Sequence, residues 1–301
     1  MDFRQLETFI EVVNLKSFSK AAAKMFLTQP TVTNHIQALE KELGMPLFNR
    51  SGKKISTTEA GEMLYNYAIE IINMRDAAHF NINKYQGKIE GILEISSSTI
   101  PKQYVLPKLL KAFTKDFPYV GFDISSGDSK DVIQSILDGY TNFGIVGAKY
   151  PYKSLNYIDL MDDELVLVTA NNTSKYPWPA YSEVDFEDIK GLNLILREEG
   201  SGTRLLIEDA LKESGHSFSD FKTHTTISNN ETIKRFIELD MGVSFISKVA
   251  VERETDLGVL KPIFIKNLNL KRKFYFVYHS NRYLSPLSET FKNFIIDHID
   301  Q

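Results

Sequence analysis

Six side chains that could read DNA crowd into one short stretch: Gln29, Pro30, Thr31, Thr33, Asn34 and Gln37. Gln and Asn amides can pair with an adenine edge through two hydrogen bonds, and a Thr methyl can touch a thymine methyl. On a helix these residues lie away from the apolar stripe Val32, Ile36, Leu39 and Leu43. A helix with that division can bury one edge and lay the other in a major groove. Pro30 falls in the first turn, where its missing N–H costs nothing, and it offers the groove a rigid apolar surface. Arg50, Lys53 and Lys54 follow as cations able to hold backbone phosphates. Such contacts set register and salt dependence but carry no sequence information.

A second set of polar residues falls at the ends of apolar runs. In open α/β folds, ligands bind beyond the carboxyl ends of the strands. Ser97, Ser98 and Thr99 close one run, Ser129 follows another and Gly147 ends a third. Ser201, Gly202, Thr203 and Arg204 form a Gly-rich turn opening a helix, with backbone N–H groups available to an anion. Asn229 precedes a further helix. Together they point to a small carboxylate or oxyanion as ligand. Several also have a plain structural role. Ser228 with Glu231 is a capping box, Ser129 is a helix cap, and Arg204 sits four residues before Glu208. Glu198 and Glu199 oppose an anion.

Other chemistries find no support. There are no cysteines, so thiolate catalysis, disulfides and Cys-ligated metals are excluded. The six histidines are scattered without HExxH spacing, and GxSxG, GxGxxG and the phosphate-binding GxxxxGK[ST] pattern are absent. No enzyme activity, metal or cofactor is expected. No long uncharged apolar run or signal sequence occurs, which fits a cytoplasmic chain away from membranes. The net charge is −4 over 301 residues. Residues 1–58 carry +3, so the remainder carries −7. A basic head on an acidic body suits a chain whose bulk should stay off phosphates.

The elements that must position these groups follow from periodicity. Leu6, Phe9, Ile10 and Val13 mark a first helix. Ser19 is a candidate cap for a second, KAAAKMF. Thr28 caps a third, from Gln29 to Leu43, which Gly44 stops. Small Ala21, Ala22 and Ala23 let the second and third cross closely. Residues 48–57 form a hairpin about Ser51-Gly52. Thr58 opens a helix of 27 residues with an apolar stripe of Leu64, Tyr67, Ala68, Ile71, Ile72, Met74 and Ala78. That helix, about 40 Å long, outruns the head, so pairing with a second copy is expected, with Gly87 and Gly91 as a hinge. Beyond it strands and helices alternate, implying a mostly parallel sheet in two lobes.

The segment SFSKAAAKMFLTQPTVTNHIQALEKELGMPLFNRSGKKISTTEAGE closely resembles the N-terminal domain of LysR-type transcriptional regulators. The resemblance rests on the Ala-rich helix, Thr28-Gln29-Pro30-Thr31-Val32, Leu43-Gly44, Leu47-Phe48, Arg50 and Thr57-Thr58-Glu59-Ala60-Gly61. It implies an α+β multi-domain chain. A winged helix-turn-helix (1–58) precedes a long linker and dimerisation helix (59–88). A two-lobed, periplasmic-binding-protein-like effector domain (89–301) follows, with lobe I at about 91–163 and 268–301 and lobe II at about 164–267. It also implies a double-stranded DNA operator, a small-molecule effector and a homodimer or homotetramer. Relatives with a similar Gly-Ser-Gly-Thr-Arg stretch sense small metabolites or inorganic anions. One departure bears on base preference: the family often has Ser at Thr33 and Arg at Asn34.

Overall fold

The computed structural model describes residues 1–49, 55–85, 89–280, 282 and 284–298. The head begins with α1 (Phe3–Leu15), α2 (Phe18–Lys24) and α3 (Gln29–Leu43). A capping box between Asp2 and Gln5 starts α1. The cap of α2 is Ser17, not Ser19: Ser17 has extended backbone, and its hydroxyl accepts from the Lys20 N–H. Ser19 therefore lies inside the helix, where its hydroxyl donates to Gln29 Oε1 at 2.9 Å. Thr28 caps α3, and Gly44, at φ +71°, ends it. Val32, Ile36 and Leu39 are fully buried against Leu6, Phe9 and Val12, with Ala21 and Ala22 keeping the α2–α3 crossing tight. The stripe stops at Leu39. Leu43, on the last turn, is exposed and outside this core. Thr8 on α1, itself buried, pairs with His35 Nδ1 at 2.8 Å and pins α1 to α3.

Strands β1 (Phe48–Asn49) and β2 (Ser56–Thr57) pair antiparallel. Phe48 packs its ring 5.4 Å from Phe9 and 5.6 Å from Phe18. Helix α4 (Glu59–Tyr85) then leaves the head, its first turn held by Thr58 Oγ1 accepting from the Gly61 N–H. The expected stripe on α4 divides in two. Ala68 is buried on the head with Leu64, Ile71 and Ile72 beside it. Tyr67, Met74 and Ala78 face out with Met63 and Ile82, because the helix runs beyond the surface the head can cover.

The body follows as β3 (Glu90–Ser98), α5 (Leu106–Asp116), β4 (Tyr119–Gly127), α6 (Ser129–Leu137), β5 (Phe143–Val146), β6 (Leu155–Ala170), β7 (Glu183–Val184), α7 (Phe186–Ile189) and β8 (Asn193–Leu196). It continues with α8 (Gly202–Glu213), β9 (Thr223–Thr226), α9 (Asn230–Glu238), β10 (Ser244–Ser247), α10 (Glu252–Asp256), β11 (Leu260–Ile265), β12 (Lys271–His279) and α11 (Pro286–His298). A π-helical turn, Pro101–Val105, leads into α5.

The sheet is mixed rather than mostly parallel. β3 pairs parallel with β4 and β5, but β12 runs antiparallel to both β5 and β6, and β6 antiparallel to β10 and β11. The reason is β12, which returns from the late chain into the first lobe without a helical crossover. β6 is also longer than its apolar run ELVLVTA. Leu155 to Glu164 pair with β12, and Leu165 to Ala170 pair with β10 and β11. One continuous strand thus serves both lobes. One lobe's core gathers Leu93, Phe113, Phe143 and Phe291, the other's Leu165, Leu196, Ile207 and Phe245, and a further buried cluster with Ile100, Val105, Val168 and Ile195 joins the two.

Head and body meet at one end of α6. Arg282 donates to the Ile136 and Leu137 carbonyls at the C-terminus of α6, where the Gly139 N–H also bonds to the Ile136 carbonyl. Gly139, at φ +80°, lies so close to Asn14 of α1 that a Cβ there would sit 2.9 Å from Asn14 Oδ1. Tyr65 of α4 donates to that same oxygen at 2.5 Å. Among the described residues, no helix is long and apolar enough to cross a membrane.

A second close approach seats α4 on the head. A Cβ on Gly61 would lie 2.2 Å from the Leu47 carbonyl oxygen, a backbone atom that cannot step aside cheaply. Gly61→Ala is therefore expected to destabilise the head by about 1–3 kcal/mol, the usual cost of overpacking. Chemical denaturation of the full chain measures it; unchanged stability would show that α4 shifts freely.

Candidate functional site

The sequence-expected polar edge of α3 lies on the outside of the head. Gln29, Pro30, Asn34 and Gln37 are exposed, while Thr31 and Thr33 are half-buried. Two of the hydroxyls are engaged locally. Thr31 Oγ1 is 2.8 Å from Thr28 Oγ1, and Thr33 Oγ1 donates to the Gln29 carbonyl. The Gln29 amide is steadied by Ser19. Arg50, Lys53 and Lys54 lie outside the described residues. The β1–β2 pair that brackets them packs on the same core as α3, through Phe48.

The second set converges on a small cavity of about 20 Å³ where the two lobes meet. That is room for roughly one water-sized sphere. Ser98 and Thr99 reach it from the end of β3, Ser129 from the start of α6, Gly147 from the end of β5, and Ser201, Gly202 and Thr203 from the start of α8. The N-termini of α6 and α8 therefore face one another, each presenting backbone N–H groups and the positive end of its dipole. Glycine is needed for this approach. A Cβ on Gly202 would lie 3.0 Å from Ser129 Oγ, and one on Gly200, at φ +93°, 2.5 Å from Asp128 Oδ2.

Three expected residues lie elsewhere. Ser97 turns into the sheet, donating to the Ser98 and Ile145 carbonyls. Arg204 stands on the outer side of α8, where its Nε pairs with Glu208 at 2.9 Å and its Nη1 donates to the Arg197 carbonyl. Asn229 is exposed and caps α9 by accepting from the Thr232 N–H. The Ser228–Glu231 capping box is accordingly replaced by a cap one residue later.

The sequence reading missed the two charged groups that dominate the cavity. Arg197, almost wholly buried, is gripped by Glu198 through Nε at 2.8 Å and Nη2 at 2.7 Å. Its Nη1 donates to Asn230 Oδ1 at 2.8 Å. Arg272, equally buried, donates from Nε to Asp163 Oδ2 at 2.7 Å and from Nη1 to Thr203 Oγ1 at 3.2 Å. Asp163 also accepts from Ser247 at 2.6 Å. The remaining Arg272 nitrogen, Nη2, is buried and has no hydrogen-bond partner among the described residues. Burial pulls the Arg272 guanidinium below its ordinary pKa, and the Asp163 carboxylate opposes that pull. Strand alternation carried the missed signal. Arg272 shares a face with Phe274 and Phe276, and both are buried.

Asp128, also on the cavity wall, runs against the anion expected from the sequence. It, and not the expected Ser129, caps α6, with a capping box to Asp131; Ser129 is the first residue of the helix. Burial raises its pKa, and the neighbouring carboxylates of Asp131 and Glu198 raise it further. A carboxyl pushed toward its neutral form repels an anion less than an ordinary one. Tyr150 donates to the Gly200 carbonyl at 3.2 Å, and burial pushes its phenol up to about 12.

The model of the bacterial regulatory helix-turn-helix protein, lysR family, matches residues 3–62. That of the LysR substrate binding domain matches residues 86–300. This chain belongs to the LysR family. The regulator is 30% identical to the HTH-type transcriptional regulator CysL of Bacillus subtilis (strain 168) over 293 residues, which cover 97% of this chain and 94% of CysL. Its fold is shared by a full-length OxyR variant of Pseudomonas aeruginosa, at TM-score 0.67 and 20% identity over 99% of this chain and 94% of that one. It is shared also by the regulatory domain of Synechocystis PCC6803 CcmR in complex with 2-PG, at TM-score 0.61 and 22% identity over 69% of this chain and 97% of that one.

Asp163 and Arg272 face each other in register across β6 and β12. Removing one partner alone leaves a buried charge without compensation. Arg272→Ala is expected to cost about 3–5 kcal/mol of stability, with Asp163→Ala added to it recovering a large part of the loss. A double-mutant cycle by urea denaturation tests this; strictly additive costs would refute the coupling.

Proposed function

We propose that this LysR-family regulator reads an operator through the exposed edge of α3 and is governed by a compact anion held between Arg197 and Arg272. The observation that carries the second half is the Arg272 Nη2 group. It is a buried, positively charged donor without a protein partner, at a cavity lined by hydroxyls and two helix N-termini. A buried donor of that kind calls for an acceptor, and an oxyanion or carboxylate supplies one. Ser98, Thr99, Ser129, Ser201 and Thr203 are the hydroxyls assigned to it, with Gly147 and Gly202 giving it backbone room. The small cavity favours a ligand of few atoms, and the lobes would part to admit anything larger than a water.

The first half rests on the outward edge of α3, with Gln29, Asn34 and Gln37 as base readers and Pro30, Thr31 and Thr33 beside them. Arg50, Lys53 and Lys54 are assigned to the phosphates. The proposed division keeps 1–58 as DNA head, 59–88 as linker helix and 89–301 as effector domain, acting in the cytoplasm. The exposed apolar side of α4, with Met63, Tyr67, Met74 and Ile82, is assigned to a second copy in a homodimer or homotetramer. A ligand that binds one lobe arrangement better than another shifts that equilibrium, and with it the spacing of paired heads on DNA.

A thermal-shift series with sulfate, phosphate, nitrate and small carboxylates tests the effector site. A fitting anion at 100 times its dissociation constant adds about 2.7 kcal/mol, and Thr203→Val, which keeps the size but removes the hydroxyl, should diminish the shift. No shift with any of them, or an undiminished shift in the variant, counts against the site. For the head, Gln29→Ala should weaken binding to a selected duplex by roughly 1–3 kcal/mol while Lys53→Ala weakens binding to every sequence. Gel shifts in which both variants behave like the parent would reject the assignment.

A further inference from the structure

Phe26 is 97% exposed, more than any other large apolar residue described, and its backbone sits at φ +55°. Both facts run against its chemistry. A bulky side chain in the left-handed region is strained, because its Cβ crowds the following carbonyl. A bare phenyl ring in water forgoes the free energy that burial would return.

The backbone explains the conformation but not the residue. Helix α2 ends in a Schellman turn: the Leu27 N–H bonds to the Ala22 carbonyl at 2.8 Å and the Phe26 N–H to the Ala23 carbonyl at 3.3 Å. Phe26 thus holds the position just past the helix cap, which is normally filled by glycine, sometimes by asparagine. The chain follows that rule at the end of α3, where Gly44 takes the left-handed conformation at φ +71°. The turn after α2 departs from it with the residue type that tolerates it badly. Strain of this sort persists where the side chain does something that glycine cannot.

Position says what. Phe26 is two residues before Thr28, the cap of α3, and three before Gln29. The intervening turn is pinned by the two backbone bonds above, so the ring is held beside the N-terminal end of α3. Its neighbours Leu27 and Pro30 are exposed as well. We propose that Phe26 is a DNA-contact residue whose ring packs on the apolar C–H surface of the duplex beside α3. Thymine methyls and deoxyribose supply that surface. The contact is uncharged, so it adds affinity without adding a phosphate neutralisation. It rests on the reading of α3 as the groove helix.

The test uses the full-length chain and a duplex enriched from a random-sequence pool by the parent protein. Phe26→Asn removes the ring and places in the turn a residue suited to φ above zero. Its melting temperature should equal or exceed the parent's, while its affinity for the duplex falls about tenfold or more, the scale expected for exposing one buried aromatic ring. The slope of affinity against salt should stay unchanged, because no counterion is released at this contact. Deoxyuridine substituted for each thymine in turn separates the two surfaces. If removing one methyl weakens the parent but not Phe26→Asn, the ring lies on that methyl. If no thymine couples to Phe26, it lies on deoxyribose. Binding equal to the parent overturns the proposal, as does a changed salt slope, a lowered melting temperature or an altered sedimentation mass. Gln29→Ala runs alongside. If it too binds like the parent, the groove assignment of α3 has failed rather than the Phe26 contact alone.

Discussion

A charge buried between two lobes has to be answered by another charge, and the body of this protein is organised around one such answer. Arg272 and Asp163 face each other across β12 and β6, both almost wholly removed from solvent. Asp163 draws in Ser247 from β10, and Arg272 draws in Thr203 from the start of α8. Four segments far apart in sequence are held to one point. The cost of desolvating the pair is high, and only good geometry with further hydrogen bonds offsets it. Those bonds are present except at Arg272 Nη2, which has no partner among the described residues and belongs to a side chain that lines the cavity.

The head was legible almost throughout. The third helix was delimited to the residue because both its ends carry strong local signals, a Thr cap and a Gly stop. The second helix was placed late because Ser17 and Ser19 are both plausible caps, and only tertiary packing chooses between them. Leu43 belongs to the stripe by spacing but not by burial, since spacing says nothing about where the opposing surface ends. In the body the alternation of strands and helices is legible, but β7, α7, α10 and β11 do not stand out in it. They are short or carried by pairing. The parallel sheet was inferred from alternation of strands and helices, and alternation cannot show that β12 comes back in the opposite direction.

The candidate effector site divides along the same line. Ser98, Thr99, Ser129, Gly147 and the Ser201–Thr203 turn were visible because strand ends and helix starts are where an α/β fold exposes polar backbone. Arg204 and Asn229 drew attention by lying next to such places, yet each satisfies a local bond instead: an ion pair four residues on, and a helix cap. Arg197 and Arg272 were overlooked for the opposite reason. Each sits in a charged run, Arg197-Glu198-Glu199 and Lys271-Arg272-Lys273, that resembles an ordinary solvated surface. Only the strand's alternation, which turns the middle cation inward, separates Arg272 from the lysines on either side.

Helix α6 begins at the cavity, where Asp128 caps it and Ser129 lines the wall. It ends where Arg282 holds its last carbonyls and Gly139 abuts Asn14 of the DNA head. Nine residues of α-helix span about 14 Å, too short a rod to bend and too well capped at both ends to fray. One short helix therefore has its first residue on the cavity wall and its last turn against the head, so a displacement along its axis at Ser129 would press on Asn14.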